Sequence, residues 1–119
     1  YELVFVCNPV MHHLLLGIDP VELGQAPFAL ATSGSLAFPA RDLDLSNVNR
    51  ATRTYVLPCI AGHVGADCAA VALAEEPNMS EDMVLIVDVG TNAEILLGNK
   101  TKVLACSSIA FFHCPTWTG

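Results

Sequence analysis

Residues 85–95 read LIVDVGTNAEI, an apolar run that closes on Asp88 and continues through Val89 into Gly90-Thr91-Asn92. A carboxylate at a strand end, a glycine that admits a close backbone neighbour, and hydroxyl and amide donors just beyond can cradle a phosphate. Magnesium dehydrates reluctantly and prefers few carboxylates plus phosphate oxygens, so Asp88 is the candidate metal residue, acting through water. A plain hairpin capped by Asp88 uses the same residue types, and the motif alone leaves both readings open. Glu94 reads as a polar hairpin position with a secondary metal role.

A second group lies in residues 58–67, PCIAGHVGAD, where Gly62, Gly65 and Asp67 occupy a turn that opens a small-residue helix. Asp67 is the only carboxylate there placed to serve as a catalytic base. Asn8 stands before Pro9 as a helix cap. Tight turns and helix caps select the same residue types, so a structural role competes with a ligand role at all four positions.

Metal and nucleophile chemistry elsewhere is poorly supported. Cys7, Cys59, Cys68, Cys106 and Cys114 are odd in number and contain no CxxC pair, which suggests buried, reduced thiols in a cytoplasmic protein. His12 and His13 are adjacent, His63 and His113 stand alone, and no pair has HxxxH spacing.

The elements that must position these residues follow from pattern. Leu3–Cys7 is predicted as a short buried strand, and Asn8-Pro9 starts a helix over about residues 9–16 that Gly17 stops. Asp19-Pro20-Val21-Glu22 has the form of a capping box for a short helix ended by Gly24 and Pro27. Residues 25–52 read as an irregular insertion, with brief period-two alternation at Arg41–Leu45. Thr54–Leu57 is a strand that Pro58 ends, and an alanine-rich helix follows through residues 68–74. Three strands close the chain as a meander, at Met83–Asp88, Ala93–Leu97 and Thr101–Cys106.

The chain is 53% hydrophobic and 14% charged, which excludes a disordered tail. Its net charge of −7 argues against nucleic acid as a partner. Apolar runs fall far short of the roughly 18 residues a membrane span needs, and the N-terminal residues do not have the form of a signal peptide. The first residue is Tyr1 rather than Met, which suggests a longer reading frame upstream.

Four motifs, in order, carry a family resemblance: residues 8–20 (NPVMHHLLLGIDP), 23–28 (LGQAPF), 58–67 (PCIAGHVGAD) and 88–99 (DVGTNAEILLGN), closing on ACS at 105–107. The chain resembles the ASKHA-type reductive activators of corrinoid proteins along nearly its whole length to Ser108. The resemblance implies an α/β, RNase H-like ATPase fold of the actin, sugar kinase and heat-shock chaperone superfamily, with ATP and magnesium between two lobes. Residues 1–76 would close the first lobe, with the insertion and connecting helix, and residues 77–108 would open the second. Residues 109–119 form an atypical tail.

Carried over by position, Asp88, Gly90, Thr91 and Asn92 match the second-lobe phosphate turn, Asp88 being the magnesium residue. Gly62, Gly65 and Asp67 match a strand-to-helix turn near the cleft, and Asn8 matches an asparagine after a core strand. The implied activity returns Co(II) corrinoid proteins to Co(I) for methyl transfer. The implied partner is a corrinoid protein or corrinoid-dependent methyltransferase, and a homodimer is compatible with the family. The [2Fe-2S] donor belongs to an upstream domain whose CxxxxCxxC spacing does not occur here. Cys7 replaces a usual glycine, and CPTWTG stands near where the family has GPAFEG. An isolated piece of this kind is expected to be inactive. Two alternatives remain open: an ASKHA-type small-molecule kinase using Asp67 as base, and a nucleotide-dependent docking module without catalysis.

Overall fold

A computed structural model describes residues 1–90 and 92–109; Thr91 and the tail beyond residue 109, with Cys114, lie outside them. The chain divides into two compact units, Tyr1–Glu76 and Pro77–Gly119.

The first unit is built on a three-stranded sheet of β1 (Glu2–Phe5), β2 (Leu36–Pro39) and β3 (Arg53–Val56), in the order β1-β3-β2. β1 runs parallel to β3 and β2 antiparallel to it. A parallel pair needs a long crossover, and the chain between β1 and β3 supplies it. Helix α1 (Pro9–Leu15) starts as its sequence dictates: Asn8 Oδ1 accepts from Met11 N at 2.9 Å and proline occupies the first turn. It ends in a Schellman arrangement around Gly17 at φ +69, where Ile18 N donates to His13 O and Gly17 N to Leu14 O. His13 then ties α1 to the following segment, donating from Nδ1 to Pro9 O at 2.9 Å and accepting from Ala31 N through Nε2 at 3.0 Å. Those two partners fix the tautomer.

Helix α2 (Ala66–Glu75) begins after Gly65 and ends at Glu76, which adopts a left-handed conformation at φ +46. Leu57, Cys59 and Ala66 form the buried core, with Leu30, Tyr55 and Ala70 packed against them. No helix among the described residues is long and apolar enough to cross a membrane.

Two local expectations are corrected. Residues 25–52 are not irregular throughout: they supply β2, Leu30, which packs against the core, and the partner of His13. The alternation at Arg41–Leu45 is not extended chain, because Ala40–Leu43 is a 3-10 turn closed by Asp44 at φ +56. Nor does Asp19 open a capping box. Its Oδ1 accepts from Val21 N at 3.0 Å, Glu22 returns no bond among the described residues, and Val21–Gly24 is a single 3-10 turn.

The second unit is an antiparallel meander of β4 (Val84–Val89), β5 (Asn92–Asn99) and β6 (Lys102–Ile109), the three strands that the sequence pattern predicts. Its register pairs Leu85 with Leu97 and Leu97 with Leu104, then Val87 with Ile95 and Ile95 with Cys106, and Val89 with Ala93. Directly paired residues share a face, so these rows make one side of the sheet almost wholly apolar. The other side carries Ile86, Leu96 and Ala105 in one row and Asp88, Glu94 and Ser107 in the next. A 3-10 turn, Pro77–Met79, packs on β5 and β6, and both Pro77 and Leu96 are buried. Lys100 N donates to Ser80 O at 2.8 Å, and Lys100 Nζ pairs with Glu81.

The apolar side is open: Leu85 is 62% exposed, Leu104 54% and Val89 57%. Cys106 lies on that side and is exposed, contrary to the expectation of a buried thiol. A contiguous apolar face of this kind associates with other apolar matter. The 119-residue chain should therefore enhance the fluorescence of an apolar dye. Leu85→Lys and Leu104→Lys together should cut that enhancement at least about twofold, because most of the apolar area in their row is removed. Unchanged dye binding would contradict this description of the face.

His12 is fully buried, and neither ring nitrogen has a hydrogen-bond partner among the described residues. Burial, with a smaller contribution from neighbouring His13, holds its pKa below the ordinary value of about 6.5. Between that lowered value and 6.5 the unfolded chain binds more protons than the folded one, so stability is fully present above about pH 6.5 and declines as pH falls. The denaturation midpoint should drop from pH 7.5 to 5.5, and His12→Leu should flatten that dependence. A wild-type midpoint constant over the interval, or the same slope in His12→Leu, would show that His12 is not the titrating group.

Candidate functional site

In the first unit the structure brings Asn8, Gly65 and Asp67 together. A Cβ on Gly65 would stand 2.7 Å from Pro9 Cδ and 2.8 Å from Asn8 Cα, closer than side-chain carbons approach, so the start of α2 lies directly on the β1–α1 junction. The helix N-terminus is already satisfied there. Cys7 O accepts from Ala66 N at 3.0 Å and Asp67 N at 3.4 Å, and Asp67 Oδ1 accepts from Cys68 N at 2.9 Å. Three of the four donors that a helix start leaves unpaired are thus engaged within the chain. Asn8 is likewise occupied in capping α1.

Burial pushes the Cys7 thiol upward in pKa, and the charge on Asp67 adds to the effect. Cys59 is raised mainly by burial, partly offset by the backbone N–H of Ala66. Both thiols therefore stay protonated and unreactive at neutral pH.

Gly62 packs elsewhere. Its Cα lies so close to Phe28 that a Cβ would collide with the Phe28 carbonyl oxygen, and the Phe28 ring meets His63 edge-on at 4.1 Å between centroids.

In the second unit, β4 and β5 present Asp88, Gly90 and Asn92 at one end of the meander, all exposed; Thr91, predicted as part of the same turn, lies outside the described residues. Gly90 N donates to Asn92 O at 2.8 Å. The glycine is not demanded by the described residues: among them a Cβ there would meet only Asn92 O at 3.6 Å, an ordinary contact, and the backbone is not left-handed. Gly98 differs, because a Cβ would come within 2.5 Å of Val103 Cα. Among the described residues the space above Gly90 is open to a closely approaching ligand.

Asp88 pairs directly with Glu94 across β4 and β5, and Glu94 with Ser107 across β5 and β6. Ser107 Oγ donates to Glu94 Oε1 at 3.1 Å. Like charges directly opposite destabilise a sheet, and a cation beside them offsets that repulsion. Among the described residues no group of three or more His, Cys, Asp or Glu could hold a metal ion by itself. Two carboxylates on neighbouring strands instead suit magnesium that arrives with phosphate and keeps its water. Ser107 is absent from a sequence-based site because its link to Asp88 runs through the register of two strand pairs. Glu94 is visible in the motif, but its direct pairing with Asp88 is not.

Comparison with known proteins places this geometry. Residues 1–80 match the family described as the RACo middle region, and residues 82–110 match the C-terminal domain of RACo, the ASKHA domain. The chain is 35% identical over 108 residues to the corrinoid activation enzyme RamQ of Eubacterium limosum, covering 91% of this chain and 18% of that protein. A solved structure titled reductive activator for corrinoid, iron-sulfur protein is 31% identical, with a TM-score of 0.83 over 89% of this chain and 17% of that one. The chain therefore spans less than a fifth of either relative. Its mixed α/β architecture, meander included, is the fold of the corresponding part of that activator. With the middle-region match alone covering two thirds of its length, the chain belongs to the RACo family of ASKHA-domain proteins.

Proposed function

We propose that the chain is part of an ATP-dependent reductive activator that returns Co(II) corrinoid proteins to the Co(I) state for methyl transfer. The observation that carries the reading is the ASKHA-domain match over residues 82–110, which contains the Asp-Val-Gly-Thr-Asn motif; its Asp88, Gly90 and Asn92 are exposed, and no described residue requires the glycine. The names of the two relatives supply the reaction class. On this reading residues 1–76 close one lobe and residues 77–108 open the second, with the partner a corrinoid protein and the electron donor a [2Fe-2S] domain elsewhere in the full-length protein.

Magnesium–ATP, when bound, supplies phosphate charge and the free energy of hydrolysis. Asp88 would hold a metal-bound water, and Gly90 would let phosphate oxygens reach the turn backbone. The Thr91 hydroxyl and Asn92 amide would donate to those oxygens. Glu94, held by Ser107, would add a second negative charge behind Asp88 and strengthen its hold on the cation. Asp88, Glu94 and Ser107 are set side by side by the strand register before a ligand arrives, which is what makes such electrostatics effective. Asn8, Gly62 and Gly65 act by shaping the first unit. The small-molecule kinase reading asks Asp67 to serve as base, but one of its oxygens already closes the first turn of α2.

Two glycine substitutions in the full-length protein separate these roles. Gly90→Ala should leave the melting temperature within about 2 °C of wild type, since a lone surface methyl changes stability little. It should weaken ATP binding at least about tenfold, equivalent to one lost charge-assisted hydrogen bond. Gly65→Ala should instead destabilise by about 1–3 kcal/mol through overpacking. Full ATP affinity in Gly90→Ala contradicts the phosphate turn. Failure of the full-length protein to reactivate a Co(II) corrinoid protein with ATP and a reductant contradicts the functional assignment.

A further inference from the structure

All three arginines of this strongly acidic chain, Arg41, Arg50 and Arg53, fall within thirteen consecutive positions, in a segment to which the proposed function assigns no role. Two of them, Arg41 and Arg50, line one cavity of about 350 Å³ together with Ser46, Asn49, Leu45 and Val48. We propose that this cavity binds a small oxyanion, a carboxylate or a phosphate carried on a short apolar body.

The donors are available. Arg41 makes one long ion-pair contact, Nε to its neighbour Asp42 at 3.8 Å, and among the described residues its Nη groups and the Arg50 guanidinium have no ion pair or hydrogen bond. Asn49 Oδ1 accepts from Ala51 N at 2.9 Å, so the amide nitrogen of Asn49 is the part left to donate outward. A guanidinium presents its N–H groups in a planar fork that fits carboxylate and phosphate oxygens bidentately.

The frame around them is built. Asp44 turns the chain in a left-handed conformation, Ser46 N donates to Asp44 O, Thr52 N to Asn49 O, and Ala40 N to Thr52 O. Ala40 and Thr52 are buried, which anchors both ends of the loop to the first unit. Leu45 and Val48 are half-buried and give the cavity an apolar side, where water competes less for the charged donors. A volume of about 350 Å³ is at the low end of ligand sites, suited to a metabolite-sized anion rather than a whole nucleotide. The site is therefore separate in chemistry from the Asp88–Asn92 turn. Asp42 competes with the ligand for Arg41.

The test titrates the full chain with inorganic phosphate and, separately, with succinate, following backbone amide shifts of residues 40–53 against sodium chloride at matched ionic strength. Saturable shifts with phosphate identify a phosphate site, and with succinate a carboxylate site; either supports the proposal. Arg41→Gln and Arg50→Gln should each weaken that binding at least about tenfold. Arg53→Gln, which does not line the cavity, should leave it unchanged, and Asp42→Asn should tighten it. The two arginine variants lie at the exposed surface, and unchanged amide spectra away from the loop show that they fold. The proposal is overturned if chloride reproduces the shifts, if neither anion saturates by about 50 mM, or if Arg53→Gln weakens binding as much as Arg50→Gln.

Discussion

The candidate site depends on the register of β4, β5 and β6. Side chains alternate across a sheet with period two, so a one-residue slip of β5 would carry Glu94 to the opposite face from Asp88. The observed pairing sets Asp88, Glu94 and Ser107 in one row and puts Leu85, Leu97 and Leu104 on the other side. The polar row then sits beside the Gly90 turn, while an apolar face is left exposed on the reverse. A sheet with apolar rows on both faces is characteristic of strands enclosed between layers. That agrees with a chain that spans less than a fifth of its relatives.

The glycines separate structural demand from ligand demand. At Gly62 and Gly98 the neighbour that excludes a side chain is the protein's own backbone, and at Gly65 it is the Asp67 carboxylate and the Pro9 ring together with the Asn8 backbone. Those positions hold the crossing at Phe28, the seat of α2 on the β1–α1 junction, and the close approach of β5 to β6. At Gly90 no such neighbour is present among the described residues. The same distinction applies to donors: the first turn of α2 is closed by Cys7 O and Asp67, so its position near a strand end does not make it an anion site. The phosphate and magnesium binding proposed for the chain therefore falls on the second unit, at the β4–β5 turn.

Much of this was legible in sequence because local chemistry set it. Asn8-Pro9 and Gly17 fix both ends of α1 through backbone bonds within a few residues, and alternating apolar residues between turn formers announce the meander. The Asp88–Asn92 motif proposed as the phosphate turn stands out in the sequence for the same reason. What stayed hidden depends on partners distant in the chain. β2 exists because its residues pair with β3, and nothing within 25–52 states that. The burial of His12 and the link from His13 to Ala31 need the tertiary path of that segment, and the Glu94–Ser107 bond needs the β5–β6 register. The capping box at Asp19 failed because a 3-10 turn offers the Asx geometry two residues on rather than the helical amide three residues on.

The central claim is that phosphate and magnesium meet at the β4–β5 turn. A crystal structure of the full-length protein with magnesium and a non-hydrolysable ATP analogue tests it most directly. The account predicts phosphate oxygens over the backbone of Gly90, within hydrogen-bond distance of the turn, and a magnesium ion linked to Asp88 through ordered water. Nucleotide phosphates bound away from this turn, with Asp88 contacting neither the ion nor its water, would contradict it.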